Sequence, residues 1–516
     1  MAQYANIRII SLKIKPLSPE LLKFTNFVFP GSTQNTRRFV MKKILFYIYF
    51  TVFTALVLSG CNQNNPYGYS VKNNQIIYNT PPRPADQQSM LGFSCEPIEN
   101  VRVGFVGLGM RGPGAVHRFC YLDDATVVAL CDLHEERVEK AQQILESHGK
   151  PRAAGYWGEE GYKELCGRDD IDLVYLAVPW QLHTPIAVYA MEHGKHVAIE
   201  VPAATSVKEC WDLVNTSERT RKHCMMLENC CYDFFELTCL NMIQEGLFGE
   251  IVHVEGSYCH NLDPYWDRYE GDWRMIYNRE HNGDVYPTHG IGPVCQDLGI
   301  HRGDKMDVLV SMATDAFRGQ ETADSRYGKG AYEYANGDNT STLIRTRNGR
   351  TILVEHAVAT PRPYSRMYQI TGTKGFANKY PNQGLALGDA VPEDAGIEDL
   401  DAEKYMSNEA RDALMARYQH PITKEGGLAE KAKEVGGHGG MDFIMDYRLI
   451  YCLHNGLPLD QDVYDAAEWS SLVELTEVSI NHGSMPVVLP DFTRGEWNRV
   501  KGVSFAMAGQ EGDRKR

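Results

Sequence analysis

One glycine-rich turn, within residues 101–112 (VRVGFVGLGMRG), constrains the fold of this chain more than any other stretch. The first six residues predict a short buried strand, and Gly107, Gly109 and Gly112 then fall in G-x-G-x-x-G spacing before a predicted helix. The first glycine permits a tight turn, the second lets the backbone approach a pyrophosphate, and the third lets the helix pack against the strand. The N–H groups at the start of the helix attract phosphate. The turn therefore predicts a dinucleotide site.

A second apolar run, residues 126–131, ends at Asp132. An acidic residue at the tip of the second strand, about 20 residues after the glycine turn, holds the ribose 2′-hydroxyl in NAD-binding folds. Taken alone, Asp132 is equally compatible with a solvated loop. Together with the glycine turn it predicts that the cofactor is NAD.

Apolar runs continue to alternate with helical patterns up to residue 227, which predicts a doubly wound α/β domain over residues 100–232. In such sheets ligands lie beyond the carboxyl ends of the strands. Considered one at a time, these residues also allow structural roles: His183 could cap the helix that follows it, and Trp180 could cover the core. As a set, the residues after the strands predict a cofactor cleft: Met110, Arg111, Trp180, Gln181, Leu182, His183, Glu200, Val201 and Asn229.

The pattern changes after Tyr232. Longer alternating strands with hairpin-like turns predict a largely antiparallel sheet, open on one face, in an α+β substrate-binding domain over residues 233–500. Residues 385–434 are polar and acidic and predict an insertion or lid. Two helices follow, and the predicted elements are strands 251–258, 306–314, 340–347, 350–359 and 368–371 and helices 441–454 and 466–481.

The first 61 residues predict an export and lipoprotein signal, because two lysines precede the short apolar run 44–58 and the sequence LSGC. Cys61 would carry the lipid, so the mature protein is expected on the periplasmic side or cell surface of a bacterium, touching membrane only through that anchor. The alternative is a buried helix. The start is either Met1, with a twin-arginine-like stretch before Met41, or Met41 itself. Residues 62–99, rich in Asn, Gln and Pro, predict a tether.

Composition excludes several classes of function. The net charge is −15 and the folded region has no run of Lys or Arg, which argues against nucleic-acid binding and favours a small-molecule substrate. The 13 cysteines are scattered and show no C-x-x-C spacing, so no metal site is expected. A homo-oligomer is compatible with the sequence, which leaves the oligomeric state open.

Residues 260–293 are dense in Tyr, Trp, Arg and His. Aromatic faces stack on the C–H faces of sugars, and the polar groups hydrogen-bond to sugar hydroxyls. The alternative is an aromatic cluster with a structural role only. The stretch predicts a carbohydrate pocket.

Residues 101–490 resemble the Gfo/Idh/MocA-type oxidoreductase superfamily and, within it, glycoside hydrolase family 109, the NAD-dependent α-N-acetylgalactosaminidases. The strings that carry the resemblance are VGLGMRGPGAVHR (106–118), AVPWQLHTP (177–185), AIEVPAA (198–204), MLENCCYDFFEL (226–237), GDWRM (271–275), YPTHGIGPV (286–294) and GHGGMDF (437–443).

The resemblance implies a glycosidase that removes terminal α-N-acetylgalactosamine from glycans by oxidation, elimination, addition and reduction, with NAD recycled in each turnover. It implies that His289 transfers protons, against a purely structural role. It also implies that His183 and Glu200 are shared between the nicotinamide ribose and the reacting centre. The implied substrate contacts are Tyr232, Tyr258, Arg274, Tyr286 and Tyr368.

One departure from the wider superfamily separates the competing functions. Oxidoreductases of the Gfo/Idh/MocA-type superfamily usually have the sequence Glu-Lys-Pro at the position where this chain has Glu200-Val201-Pro202. The missing lysine disfavours an ordinary sugar dehydrogenase and agrees with the glycosidase branch. The alternatives are an exported NAD(P)-dependent sugar oxidoreductase and a non-catalytic sugar-binding lipoprotein.

Overall fold

A computed structural model describes residues 65–398, 400–507 and 514–515. Its strands form three sheets, two of them large. In chain order the strands are β1 (Tyr69–Lys72), β2 (Gln75–Tyr78), β3 (Val101–Val106), β4 (Ala125–Asp132), β5 (Ala154–Trp157), β6 (Leu173–Leu176), β7 (His196–Ile199), β8 (Cys224–Met226), β9 (Ile251–Cys259), β10 (Met306–Ala313), β11 (Thr340–Thr346), β12 (Thr351–Ala357), β13 (Gln369–Gly372), β14 (Gly375–Asn378), β15 (Gly384–Leu387), β16 (Val487–Val488), β17 (Phe505–Ala506) and β18 (Arg514–Lys515).

The principal helices alternate with the early strands and frame the later ones. They are α1 (Gly112–Phe119), α2 (Glu135–Ser147), α3 (Gly161–Cys166), α4 (Trp180–Glu192), α5 (Val207–Thr220), α6 (Phe234–Gln244), α7 (Trp273–Glu280), α8 (Thr288–Leu298), α9 (Arg318–Tyr327), α10 (Asn408–Arg417), α11 (Pro421–Lys424), α12 (Leu428–Val435), α13 (Met441–Asn455) and α14 (Val463–Asn481).

The first large sheet has six strands in the order β5-β4-β3-β6-β7-β8, and every neighbouring pair is parallel. Its central strands are mostly apolar, and β6 (LVYL) is apolar and buried along its whole length, as expected when helices cover both faces. The strand order reverses next to β3, so the carboxyl ends of β3 and β6 flank the crevice where such sheets bind ligands. The predicted Rossmann domain is confirmed.

The second large sheet has ten strands in the order β1-β2-β16-β10-β11-β12-β9-β13-β14-β15. It is antiparallel except where β9 pairs with β12 and β2 pairs with β16. This confirms the prediction of a largely antiparallel sheet in an α+β domain. Helices α8 and α14 pack against β9 and β10, and the helix–sheet contact positions the candidate site.

The prediction of a tether is wrong for residues 66–99. Strands β1 and β2 form a hairpin, and β2 pairs with β16 at one side of the ten-stranded sheet. Ile76 and Tyr78 are buried there, and Arg83 forms an ion pair with the buried Glu218 at 3.3 Å. The short apolar stretches are hidden by the surrounding Asn, Gln and Pro, which is why composition suggested a linker.

The polar stretch 385–434 holds β15 and the helices α10 to α12. Leu414, Ile422 and Ala432 are buried, so the insertion carries apolar side chains into the core. Helix α12 leads directly into a glycine-rich loop, residues 436–440, at the candidate site.

The predicted export signal and Cys61 lie outside the described residues. Within the residues that the structure does describe, no helix combines the length and apolarity that a membrane crossing requires.

Candidate functional site

The glycine turn after β3 has the geometry that the sequence predicted. Gly107 has φ +94°, and a Cβ on it would lie 2.3 Å from the Ala177 carbonyl oxygen. A Cβ on Gly112 would lie 2.0 Å from the Gly107 carbonyl oxygen, so α1 can approach the turn only with glycine there. A Cβ on Gly109 would meet only an Arg137 nitrogen, at 3.7 Å. Gly107 and Gly112 pack against neighbouring backbone, whereas Gly109 leaves the room that a pyrophosphate needs.

Asp132 ends β4 beside this turn. Its Oδ2 accepts the Leu108 N–H at 2.6 Å and its Oδ1 accepts the His134 N–H at 3.0 Å. The carboxylate therefore holds the glycine turn in place and fixes the start of the segment that follows β4. It lies where an NAD-binding fold holds the adenosine ribose.

The other strand ends meet at the same edge. Glu200, after β7, accepts a hydrogen bond from Arg111 Nε at 2.9 Å, and Val201 beside it is buried. Gln181 is exposed, and Met110 and Leu182 are large apolar side chains with about half of their surface exposed (51% and 47%). Exposed apolar groups at a concave edge suit a surface that a bound dinucleotide covers. The residues of the edge therefore fit NAD.

His183 lies between the turns that follow β6 and β7. Its ring is buried, Nδ1 lies 2.7 Å from the Pro202 carbonyl oxygen, and Nε2 lies 2.8 Å from the Val178 carbonyl oxygen. Burial lowers its pKa, while the two carbonyls act in the opposite direction. A neutral ring has one N–H, so His183 donates to one of the two carbonyl oxygens while its ring contacts the turns after both β6 and β7. The sharing of His183 between the nicotinamide ribose and the reacting centre stays a prediction.

The side chain of His289 forms a pair with the side chain of Glu228. Its Nδ1 lies 2.8 Å and 3.0 Å from the two oxygens of Glu228, which is fully buried. Burial raises the pKa of Glu228, but the attraction of His289 and the hydrogen bonds from His289 and the Cys230 N–H outweigh it and lower the pKa overall. Because an ionised carboxylate only accepts, Nδ1 carries the proton and Nε2 is the basic nitrogen.

Two glycines of α8 bring His289 to this place. A Cβ on Gly290 would lie 2.7 Å from the Ser257 nitrogen of β9, and a Cβ on Gly292 would lie 2.7 Å from Glu228 Cγ. The helix therefore approaches both the sheet and the carboxylate more closely than any larger residue permits. Tyr286, three residues earlier, has its hydroxyl 3.4 Å from His289 Nε2.

A buried guanidinium lies among aromatic rings next to this pair. We call this group, Arg274 with Trp180, Tyr258, Tyr269 and Tyr286, the Arg274 cluster. The guanidinium carbon lies 4.5 Å from the Tyr286 ring centre, 5.0 Å from Trp180, 5.2 Å from Tyr269 and 6.0 Å from Tyr258. Its Nη1 donates to the Tyr269 hydroxyl at 2.7 Å, whereas Nε has no partner among the described residues. A buried N–H without a partner suits an acceptor oxygen on a ligand.

The predicted substrate contacts Tyr258, Arg274 and Tyr286 thus come together, while Tyr232 and Tyr368 do not join them. The Tyr232 hydroxyl donates to Asp460 at 3.3 Å in the interior beneath the site. The Tyr368 hydroxyl lies 3.3 Å from both the Glu236 carbonyl oxygen and Asp297 Oδ1, against α6 and α8. Both hydroxyls are bound to partners outside the Arg274 cluster, so the structure does not group these two tyrosines with the other three, and their contact with substrate stays a prediction.

Sequence reasoning missed a second imidazole–carboxylate pair. Asp442 Oδ1 accepts a hydrogen bond from Asn229 at 2.6 Å, and Asp442 Oδ2 lies 3.0 Å from His438 Nδ1 and 3.5 Å from Arg111 Nη2. Burial raises the pKa of Asp442, but the hydrogen bond to His438 and the charges of Arg111 and Arg118 hold it far below its ordinary value. The pair therefore joins the predicted cofactor edge.

His438 lies in a strained loop. All five residues 436–440 (GGHGG) have positive φ, and His438 itself, at +48°, is the one residue without glycine's freedom. A non-glycine residue in this region costs about 1–2 kcal/mol. Its side chain is 54% exposed, against 14% for His289. The glycine run inside the GHGGMDF string was the available sequence signal.

His260 lies beside the Arg274 cluster, next to Tyr258. Its Nδ1 lies 3.0 Å from the Tyr258 hydroxyl. Burial and the nearby charges of Arg274, His289 and His438 lower its pKa to about 4, which keeps the ring neutral near pH 7.

Glu228, Cys230 and His289 are the one group among the described residues whose side-chain donors, all within 4.8 Å of one another, have the types that a metal requires. The 2.8 Å contact between His289 and Glu228 is a hydrogen-bond distance, shorter than the roughly 3.3 Å between neighbouring ligands of tetrahedral zinc. The His289–Glu228 pair therefore accounts for the cluster.

Two family models divide the chain as the fold does. A model for the C-terminal domain of glycosyl hydrolase 109 matches residues 232–499. A model for an oxidoreductase family with an NAD-binding Rossmann fold matches residues 101–228.

Relatives of known family and solved structures of the same fold agree with this division. Glycosyl hydrolase family 109 protein 1 of Bacteroides thetaiotaomicron is 55% identical over 472 residues, covering 91% of this chain and 100% of the relative. The protein of the same name from Bacteroides fragilis strain YCH46 is 57% identical over 464 residues, covering 89% and 98%. Levoglucosan dehydrogenase in complex with NADH and L-sorbose shares the fold, with a TM-score of 0.57 at 18% identity over 76% of this chain and 100% of that chain.

A second solved structure, myo-inositol 2-dehydrogenase from Lactobacillus plantarum, has a TM-score of 0.51 at 15% identity over 76% of this chain and 99% of that chain. Residues 101–228 are thus an NAD-binding Rossmann domain. The chain belongs to glycosyl hydrolase family 109 and is a glycoside hydrolase with an NAD cofactor.

Proposed function

We propose that this glycosidase removes terminal α-N-acetylgalactosamine from glycans by a cycle of oxidation, elimination, water addition and reduction. The observation that supports the proposal is the presence of two imidazole–carboxylate pairs, His289–Glu228 beside the Arg274 cluster and His438–Asp442 beside Arg111 at the predicted cofactor edge. Ordinary glycosidases need two carboxyl groups facing the scissile bond. Here Glu228 and Asp442 are each bound to a histidine, so imidazoles are the groups that can exchange protons with a sugar.

When bound, NAD would supply a reversible acceptor for the hydride of C3, while the C3 hydroxyl proton passes to solvent, so that C3 is a ketone while the glycosidic bond breaks; hydride and proton both return to C3 and its oxygen when the ketone is reduced. A C–H bond next to a ketone is acidic enough for an imidazole to act on it. His289 Nε2 takes the proton from C2, and the Nδ1–H bond to Glu228 stabilises the resulting imidazolium. The electron pair of the C2–H bond forms the C1=C2 double bond.

The Arg274 cluster binds and orients the sugar. The unpartnered Nε of Arg274 donates to an acceptor oxygen of the sugar or its acetamide group, and the rings of Tyr258 and Tyr286 exclude water from that contact. In such a dry site a fixed positive charge stabilises negative charge that develops on a sugar oxygen.

His438 acts at the outer side of the site, where the aglycone leaves. With its Nδ1 beside Asp442, it donates a proton to the glycosidic oxygen as the C1–O bond breaks. It then takes a proton from the water that adds to C1, and His289 returns a proton to C2. The greater exposure of His438 agrees with exchange of leaving group and water at this side.

Hydrolysis of p-nitrophenyl α-N-acetylgalactosaminide tests the proposal. The purified protein is expected to release p-nitrophenol without added NAD+ and without net NADH. The fold is shared with sugar dehydrogenases, so the competing function is an NAD(P)-dependent sugar oxidoreductase. Stoichiometric NADH formation with free sugars, and no hydrolysis, would establish that alternative instead.

We further propose that the mature chain is exported and anchored through Cys61. The support is the apolar run 44–58 followed by LSGC. Mass spectrometry of the native protein is expected to show an N-terminal lipidated Cys61. An unmodified N-terminus upstream of this residue would contradict the proposal.

A further inference from the structure

Two basic side chains flank Asp132 at the ribose end of the NAD site. Arg137 Nη1 lies 3.4 Å from Asp132 Oδ1, and the backbone N–H of His134 donates to the same oxygen at 3.0 Å. In dinucleotide-binding folds an arginine at this end accommodates the 2′-phosphate of NADP. Taken by themselves, Arg137 and His134 would therefore weaken the preference for NAD that Asp132 confers.

A carboxylate from the other domain occupies both basic groups. Glu270 Oε1 lies 2.5 Å from His134 Nε2, and Glu270 Oε2 lies 2.8 Å from Arg137 Nη2. The hydrogen bond with His134 is the largest influence on Glu270 and, with the contribution of Arg137, lowers its pKa against a smaller effect of burial. Glu270 is thus an anion with one oxygen on each basic group.

Glu270 is held in place by the segment that carries it. We call residues 263–272 the strap. Asp263 accepts from Arg318 at 2.6 Å, and Asp272 accepts from Arg326 at 2.8 Å and from Tyr327 at 3.0 Å, all on α9. Exposed ion pairs contribute little when both side chains must be ordered. A carboxylate on a segment that is already fixed has lost much of that entropy.

The strap also ends in the sugar site. Its Tyr269 accepts a hydrogen bond from Arg274, and Trp273, directly after the strap, packs its ring 5.2 Å from Trp180. The arrangement that binds the sugar therefore also fixes Glu270 at the ribose end of the cofactor.

We infer that Glu270 is a cofactor-selecting residue, supplied by the substrate domain, that rejects the 2′-phosphate of NADP. An incoming phosphate meets two carboxylates, Asp132 and Glu270, and both basic groups that would receive it are already bound. The neutral 2′-hydroxyl of NAD meets no such repulsion. This inference concerns binding of the cofactor and is independent of the sugar on which the enzyme acts.

Nucleotide competition tests the inference. The purified protein and its Glu270→Gln variant are incubated with equal concentrations of NAD+ and NADP+ until radiolabelled NAD+ has fully exchanged. After gel filtration and denaturation, chromatography gives the ratio of bound NADP to bound NAD. We expect this ratio to rise about tenfold or more in Glu270→Gln, and the rise to shrink at high salt because it is electrostatic.

Two further variants separate selection from a structural effect. Glu270→Gln combined with Arg137→Ala is expected to return the ratio towards that of the unmodified protein, since the released guanidinium is then absent. Glu321→Gln, which removes an exposed carboxylate that pairs only with Arg318, is the matched control and is expected to leave the ratio unchanged. A ratio within twofold of the unmodified protein in Glu270→Gln would overturn the inference, whether or not the enzyme hydrolyses the expected sugar.

Discussion

The two imidazole–carboxylate pairs of the site differ in depth and in partners. Glu228 is fully buried and His289 is 14% exposed, and this pair faces the Arg274 cluster. Asp442 is equally buried, but it is shared by Asn229, Arg111 and a His438 that is 54% exposed. The same chemical pair thus serves two places. The inner pair is buried beside the Arg274 cluster, and the outer pair contacts Arg111 at the cofactor edge and is open to solvent at His438.

The proposed difference in role between the inner and the outer pair requires that His289, the inner histidine, is essential for hydrolysis. His289→Ala is expected to lower kcat about 10³-fold, because general acid–base catalysis by one positioned group contributes roughly 10²–10⁴-fold. Bound NAD is expected to stay, since His289 contacts Glu228 and Tyr286 and not the glycine turn. Hydrolysis rate and nucleotide content are measured on the same preparation.

His193→Ala is the control for this change. His193 is exposed and contacts only the Tyr189 carbonyl oxygen of its own helix and the Tyr189 ring. Its rate is expected to equal that of the unmodified enzyme. Loss of nucleotide from His289→Ala, or a rate near that of His193→Ala, would contradict the assignment of His289.

The role of His438, the outer histidine, can be separated from that of His289 by varying the leaving group of the substrate. His438→Ala is expected to lower kcat/KM about 10²-fold for glycosides of aliphatic alcohols, which need a proton on the departing oxygen. For p-nitrophenyl glycosides, whose leaving group departs as a stable anion, the loss is expected to stay within a few fold. Equal losses for both substrates would remove the distinction between the inner and outer pair.

The smallest expected effect is on stability against acid. The pKa of Glu228 lies below its ordinary value of 4.5, so ionised Glu228 stabilises the fold above that pH, and the contribution is lost as the pH falls through the lower folded pKa. Glu228→Gln lacks this contribution. The difference in free energy of unfolding between the two proteins is expected to shrink as the pH falls below 4.5 and through the lower folded pKa of Glu228. Urea unfolding measures it, and a pH-independent difference would contradict an ionised Glu228.

The nucleotide edge was predictable because its determinants are local. Glycine spacing and an acidic residue after the second apolar run lie within 26 residues of sequence, and parallel strands bring their carboxyl ends together by rule. The structure confirms Gly107 and Gly112 as close-packing positions. The same local reasoning wrongly predicted a tether for residues 66–99. The strands β1 and β2 have four residues each, which is too short to show an alternating apolar pattern in the sequence.

The sugar site was predictable only in part because its determinants are tertiary. Glu228 and His289 are 61 residues apart, and Asn229 and Asp442 are 213 residues apart. Spacing also cannot show which side of a strand a tyrosine faces. Tyr258 points into the Arg274 cluster, whereas Tyr368, just before the neighbouring β13, turns towards Asp297.

Hydrolysis in heavy water tests the central claim most directly, because it follows the proton that the inner pair is proposed to move. Nuclear magnetic resonance of the N-acetylgalactosamine released early in the reaction shows whether C2 carries protium or deuterium. The account predicts deuterium at C2 in the product, since His289 exchanges its proton with solvent between taking and returning it. Product that retains protium at C2 throughout turnover, together with no isotope effect for a C2-deuterated substrate, would contradict it.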